Sequence, residues 1–265
     1  MADPLREPVG LGTAVFALIE PHAGHERAFN RWYERDHLFT LRVAPWTLAA
    51  TRWVAPGALK ALRTPAPSAI ATPVTAGAYL TTAWIQAGGD EEHLRFVAAQ
   101  GAALAASGRL FAERDHVHTG RYRYLGGAYR DPDGVPAELA LDRGYPGLVL
   151  TWIEREADTA LEELAERLLR QWLPARLAGS PLAMSLVFAG LPRPDFWPAQ
   201  IPEPAGLGER LLLAHFLEGD PRACWAPHFA GFAAGLAAAG AGRLLLAAPF
   251  VPARPGSDAG ADELG

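Results

Sequence analysis

"YPGLVLTWIER" (residues 145–155) closes on "WIE" (152–154), and an earlier stretch, "GTAVFALIE" (12–20), closes on "LIE" (18–20). Both are apolar runs with β-branched residues and both suit a strand. The same elements follow each of them. After the first come a helical pattern over 24–41 with apolar Ala28, Phe29, Trp32 and Phe39, a strand over 44–55, a Pro-rich loop over 56–76 and a strand over 76–86. A helix over 89–108 has acidic residues in its first turn, where the helix dipole favours them, and an alternating strand over 114–129 completes the set. From residue 145 the order returns: strand, helix (157–179), strand (181–191), Pro-rich loop (192–206), strand (209–219), helix (221–242), strand (243–252). "SGRL" (107–110) against "AGRL" (241–244) is a further echo. Shared order, shared loop position and shared echoes together point to a duplication.

β-α-β-β-α-β is the ferredoxin-like unit, whose helices cover one sheet face and leave the other to be buried. The expected fold is therefore α+β: two ferredoxin-like repeats packed sheet to sheet as a fused α/β barrel. The first repeat is placed at 10–130, a linker at 131–146, the second repeat at 147–252 and a disordered tail, "ARPGSDAGADELG", at 253–265. The first ten residues also read as a frayed end.

Composition narrows the function. The chain has 265 residues, half of them hydrophobic, and a net charge of −5. Lys60 is the sole lysine, and no basic-aromatic cluster occurs, which disfavours nucleic acid as a partner. A single cysteine, Cys224, allows no internal disulfide and reads as an inert buried thiol. "MADPLREPVG" has no apolar signal core, and no apolar run approaches the roughly 20 residues that span a bilayer, so a cytoplasmic, membrane-free protein is expected. No Gly-rich phosphate loop or nucleophile elbow is found.

"FNRWYERDHL" (29–38) is too charged for a core helix and too aromatic for a plain surface one. With Pro45 and Trp46 after it, its Trp32, Tyr33, His37 and Leu38 resemble the first-helix signature of the EthD-like group of dimeric α/β-barrel proteins. The second half lacks the histidine: its matching helix reads "RQWLPARL" (170–177). The resemblance implies one specialised half, with a barrel cavity that takes a small hydrophobic, aromatic or polyketide-like molecule. Related barrels act as cofactor-free monooxygenases, cyclases, isomerases or lyases, and tandem versions include haem proteins resembling chlorite dismutase and dye-decolourising peroxidase.

Three-to-four spacing puts Asn30, Tyr33, His37 and Leu41 on one helical stripe. His37 is the expected proton-transfer group, with Tyr33 and Asn30 orienting the substrate. Alternation along "RDHVHTGRYRY" (114–124) puts His116, His118, Tyr122 and Tyr124 on one face, as cavity lining and as a two-histidine metal option without a third ligand. Trp84 and Glu20 are further lining candidates. His215 matches Trp84 when "LLAHFL" is laid on "TTAWIQ", which puts it on the same sheet face. No cofactor is expected, with haem on His228 or His215 as the alternative. A non-catalytic binder of a small apolar ligand stays open, and so does a homodimer.

Overall fold

The computed structural model describes residues 9–131, 141 and 144–264. The described residues form one closed antiparallel barrel of eight strands. The strands are β1 (Leu11–Pro21), β2 (Thr47–Val54), β3 (Tyr79–Gln86), β4 (Arg114–Tyr129), β5 (Gly147–Glu154), β6 (Leu182–Leu191), β7 (Arg210–Leu217) and β8 (Arg243–Pro252). Round the barrel they run β1-β3-β2-β8-β5-β7-β6-β4. Each half thus orders its own strands fourth-first-third-second, the ferredoxin-like order expected from the sequence.

The helical layer lies outside. The first helix has three parts: α1 (Glu26–Trp32), a π-helical turn (Tyr33–His37) and α2 (Leu38–Val43). The short α3 (Gly57–Lys60) and the long α4 (Asp90–Ala106) follow. The second half repeats the interrupted helix as α5 (Leu161–Arg167), a π-helical turn (Leu168–Trp172) and α6 (Leu173–Leu177). Its second helix is split into α7 (Pro221–His228) and α8 (Phe232–Ala238), with Pro227 in the last turn of α7, just before the break.

The barrel interior is filled. Phe16, Trp84, Tyr122, Trp152, Phe188 and Phe216 are all buried there. Phe16 meets Trp84, Tyr122 and Phe188 edge to face at 5.4, 5.5 and 5.3 Å, an arrangement worth about 0.5–1.5 kcal/mol per pair beyond burial. The expected cavity within the barrel is therefore corrected: an eight-stranded barrel has room for its own side chains or one small ligand, and here the aromatic rings take that room.

The two seams between the halves differ. β4 and β6 pair from Arg121↔Leu191 to Tyr129↔Met184. β2 and β8 pair only at Trp53↔Pro252 and Val54↔Val251. The first Pro-rich loop reinforces that short seam: Thr64 bridges to Ala247, and the Ser68 hydroxyl donates to the Leu245 carbonyl at 2.9 Å.

The linker expected at 131–146 lies largely outside the described residues, as do residues 1–8 of the frayed start. The stretch from 253 to 264, expected as part of a disordered tail, makes contacts with the first helix. It forms α9 (Ala259–Asp262) and lies along α1. Arg27 pairs with Asp262, Arg31 with Asp258, and the Gly256 N–H donates to Glu34 at 2.8 Å. Its polar composition hid these ion pairs, whose basic partners come from more than 200 residues away.

Candidate functional site

An open space that both Tyr33 and His37 border lies outside the barrel, between the first half's sheet and its helices. A cavity of about 390 Å³ is bounded there by Val15, Ala17, Thr81 and Ala83 on the sheet. Across from them α4 offers Ala98, Gly101, Ala102 and Ala105. Small residues on both facing surfaces leave the volume unfilled. The second half closes the same space with Leu164, Leu168, Phe229, Phe232 and Leu236, all fully or almost fully buried. The roof of the cavity comes from the other half: Phe196, Trp197, Pro198, Gln200 and Ile201 of the second Pro-rich loop line it, and the Phe196 ring lies under the Arg95 guanidinium at 4.9 Å.

Tyr33 and His37 reach the cavity from the π-helical turn. The wider turn sets the two rings directly together, edge to face at 4.9 Å. On its other side His37 stacks on Trp32. The Nδ1 atom of His37 is buried without a hydrogen-bond partner. Burial, then the charge of Arg114, then His116 and Arg52, lower its pKa to about 4, so the ring is neutral at pH 7. Tyr33 is raised by its burial, with its side-chain hydrogen bond to Thr81 and the Arg52 and Arg114 charges acting the other way. The Arg52 guanidinium lies between the Tyr33 and Tyr79 rings, 4.4 and 4.7 Å from their centroids.

Strand β4 supplies Arg114, His116 and Thr119 to the same wall. His116 Nδ1 is 2.8 Å from the Thr119 hydroxyl, and burial followed by the Arg114 charge lowers its pKa to about 4. The shared face expected for His116 and His118 does not exist. β1 pairs Leu18 with His118 but Ile19 with His116, so Val117 bulges and the alternation slips by one. His116 faces the helices. His118 faces the barrel interior, where its Nε2 is 2.5 Å from the Tyr122 hydroxyl, which also accepts from Trp152 Nε1 at 3.3 Å. The two histidines cannot converge on one metal. Among the described residues no group of three His, Cys, Asp or Glu side chains is placed to hold one.

The other sequence candidates lie elsewhere. Trp84 and Tyr122 belong to the barrel core. Asn30 turns to the chain's end, donating to the Ser257 carbonyl and Asp258 and accepting from Arg52 at 2.9 Å. Glu20 caps the turn before β3, accepting from the Gly77 and Ala78 N–H groups at 2.5 and 2.7 Å. The sequence expects His215 on the Trp84 face, but its neighbours Ala214 and Phe216 face the barrel core, so His215 faces the helices. The alignment of the halves was one residue out, and one residue exchanges the faces of a strand.

Arg114, His93 and the loop over 196–201 also line the cavity, and none of them is among the sequence candidates. Arg114 stands two residues before His116, so alternation alone would have placed the pair together. The loop is brought over the cavity only by barrel closure, and no sequence signal marks it.

No family model and no curated protein sequence matches the chain. Solved structures do share its fold. An anthrone oxidase-like protein aligns at a TM-score of 0.54 and 10% identity, over 93% of this chain and 95% of that one. A chlorite dismutase candidate aligns at 0.52 and 9% identity, over 96% and 100%. A monooxygenase candidate from Fusobacterium nucleatum subsp. nucleatum aligns at 0.50 and 8%, over 92% and 93%. These likenesses establish the fold alone, a ferredoxin-like α/β barrel.

The cofactor expectation is corrected on both counts. The fold is shared with a protein of the chlorite dismutase kind, so it gives no support to a cofactor-free chain. The haem alternative fails at both residues named for it. Both ring nitrogens of His215 are engaged, at 3.0 Å to the Thr151 hydroxyl and 2.7 Å to the Ser185 hydroxyl, in a fully buried site packed by Phe229 and Phe232. His228 ends α7, and neither histidine borders the cavity.

Among the described residues no helix is long and apolar enough to cross a membrane.

Proposed function

We propose that this protein is an enzyme that moves a proton on a small, largely apolar molecule held between the first sheet and its helices, with His37 as the proton acceptor. One observation carries the reading: a neutral imidazole with a free buried Nδ1 stands in the wall of an otherwise apolar cavity. Burying an unpartnered polar atom costs about 1–3 kcal/mol, and a fold built for stability alone would fill or pair it. Loss of a proton beside a carbonyl is a first step common to cyclisation, isomerisation and elimination. Tyr33 fixes the imidazole by its ring edge, and its hydroxyl stays with Thr81. An anthrone oxidase-like protein shares the fold, which favours a fused aromatic or polyketide-like occupant.

The chain is read as a tandem duplication of an EthD-like unit, residues 10–130 and 147–252, in which the first half kept the site and the second half became its roof. The experiment is mass spectrometry of what co-purifies with the protein, followed by turnover of the compound found. His37→Ala abolishes that turnover while the thermal midpoint moves little. Unchanged turnover sinks the assignment.

A further inference from the structure

Arg114 is the feature that proton transfer leaves unused. Its guanidinium lies over the Trp32 ring at 4.9 Å and borders the cavity. Nη1 is buried without a hydrogen-bond partner. Among the described residues no carboxylate stands within ion-pairing distance of it. Three other half-buried arginines have carboxylate partners: Arg121 pairs with Asp90 at 2.5 Å, Arg130 with Glu218 at 2.8 Å and Arg210 with Glu154 at 3.2 Å, while Arg176, which also lacks one, donates to the His228 carbonyl and does not border the cavity. Arg63, a buried residue of the first Pro-rich loop, donates to the Ala76 and Gly77 carbonyls instead. An unpaired cation in an apolar wall costs stability, and a guanidinium is shaped to take a carboxylate through two parallel hydrogen bonds.

We propose that the cavity is selective for acidic apolar molecules, with the ligand's carboxylate pairing with Arg114 while its apolar body lies between the sheet and α4. This rests on the reading of the cavity as a ligand site and names the class of ligand. It also gives His37 a use for its position. The Arg114 charge is one of the groups that hold the His37 imidazole unprotonated. A bound carboxylate offsets that charge and so removes one of the groups that disfavour a proton on His37, the leading cause being burial.

The test measures binding by calorimetry, without turnover, for 2-naphthoate and its methyl ester. Wild type binds the acid about ten-fold or more tightly than the ester, the difference expected of one charge-assisted pair. Arg114→Gln brings the two within about two-fold by weakening the acid alone, and Arg114→Lys keeps part of the preference. Arg114→Gln also leaves the thermal midpoint unchanged or higher, since it removes an unpaired charge; a structural arginine would lower it. Equal binding of acid and ester to wild type, or binding of neither, overturns the proposal. A protein that prefers the acid but keeps turnover in His37→Ala loses the proton-transfer reading and keeps this one. A protein that prefers neutral compounds yet depends on His37 does the reverse.

Discussion

His37 lies flat on Trp32, with ring centroids 5.4 Å apart and planes 9° from parallel. Trp32 is itself fixed, since its Nε1 donates to the Arg109 carbonyl at 2.7 Å and its ring packs on Phe29 and Phe111. The imidazole therefore takes its orientation from a rigid neighbour rather than from a hydrogen bond, and its nitrogens stay available. Trp32→Ala should cost about 3–5 kcal/mol in chemical denaturation, as for other buried aromatic truncations. Trp32→Phe should keep most of the stability and lose the indole hydrogen bond, a loss of about 1 kcal/mol. Equal costs for the two variants would show that the ring stack contributes nothing.

Stability should fall on mild acidification. His37, His116 and His118 have pKa values lowered to about 4, and His215 to about 3, each with burial as the leading cause. The unfolded chain takes up protons near the ordinary value of 6.5, where the folded rings still refuse them. The contribution of each neutral ring is thus fully present above pH 6.5 and is lost as pH drops from 6.5 toward 4. The slope is on the order of 1.4 kcal/mol per pH unit for each ring. Urea midpoints taken across this range should fall steadily, and a flat profile would contradict the burial of these rings as neutral groups.

Glu20 should matter to the fold and not to the chemistry. Its carboxylate holds the N–H groups of Gly77 and Ala78 and the Lys60 ammonium, which is 3.3 Å away. Glu20→Ala leaves two N–H groups without their acceptor, at about 1–3 kcal/mol each if they stay dry. Thermal denaturation should show the loss while ligand affinity at constant temperature holds. Gly77 is as constrained: at φ 91° a Cβ would stand 2.4 Å from Leu18 Cγ, so Gly77→Ala should lower the midpoint as well.

The roof loop should control access. Trp197 and Phe196 line the cavity from the second half. Trp197→Ala should speed ligand exchange and weaken affinity by about ten-fold, with the thermal midpoint little changed because the loop lies outside the barrel core. Stopped-flow release of a bound naphthoate is the measurement. An unchanged release rate would mean that the loop does not cover the route.

Much of the architecture follows from the sequence alone. Apolar runs bounded by turn residues and helices of three-to-four spacing are local properties, and their order recurs, so the ferredoxin-like units and their packing into a barrel are legible without coordinates. The stripe of Tyr33 and His37 is legible for the same reason. What the tertiary structure decided is where those side chains look. A single extra residue at Val117 sends His116 to the helices and His118 to the barrel core, and a one-residue slip in matching the halves hides the true face of His215. Strand faces alternate, so an error of one residue is complete, and bulges leave little mark on composition. The cavity itself is a matter of volume. It opens where small residues of α4 face small residues of the sheet, and it closes in the other half where phenylalanines and leucines stand instead. Such complementarity belongs to two surfaces at once, and only the packed fold brings them together.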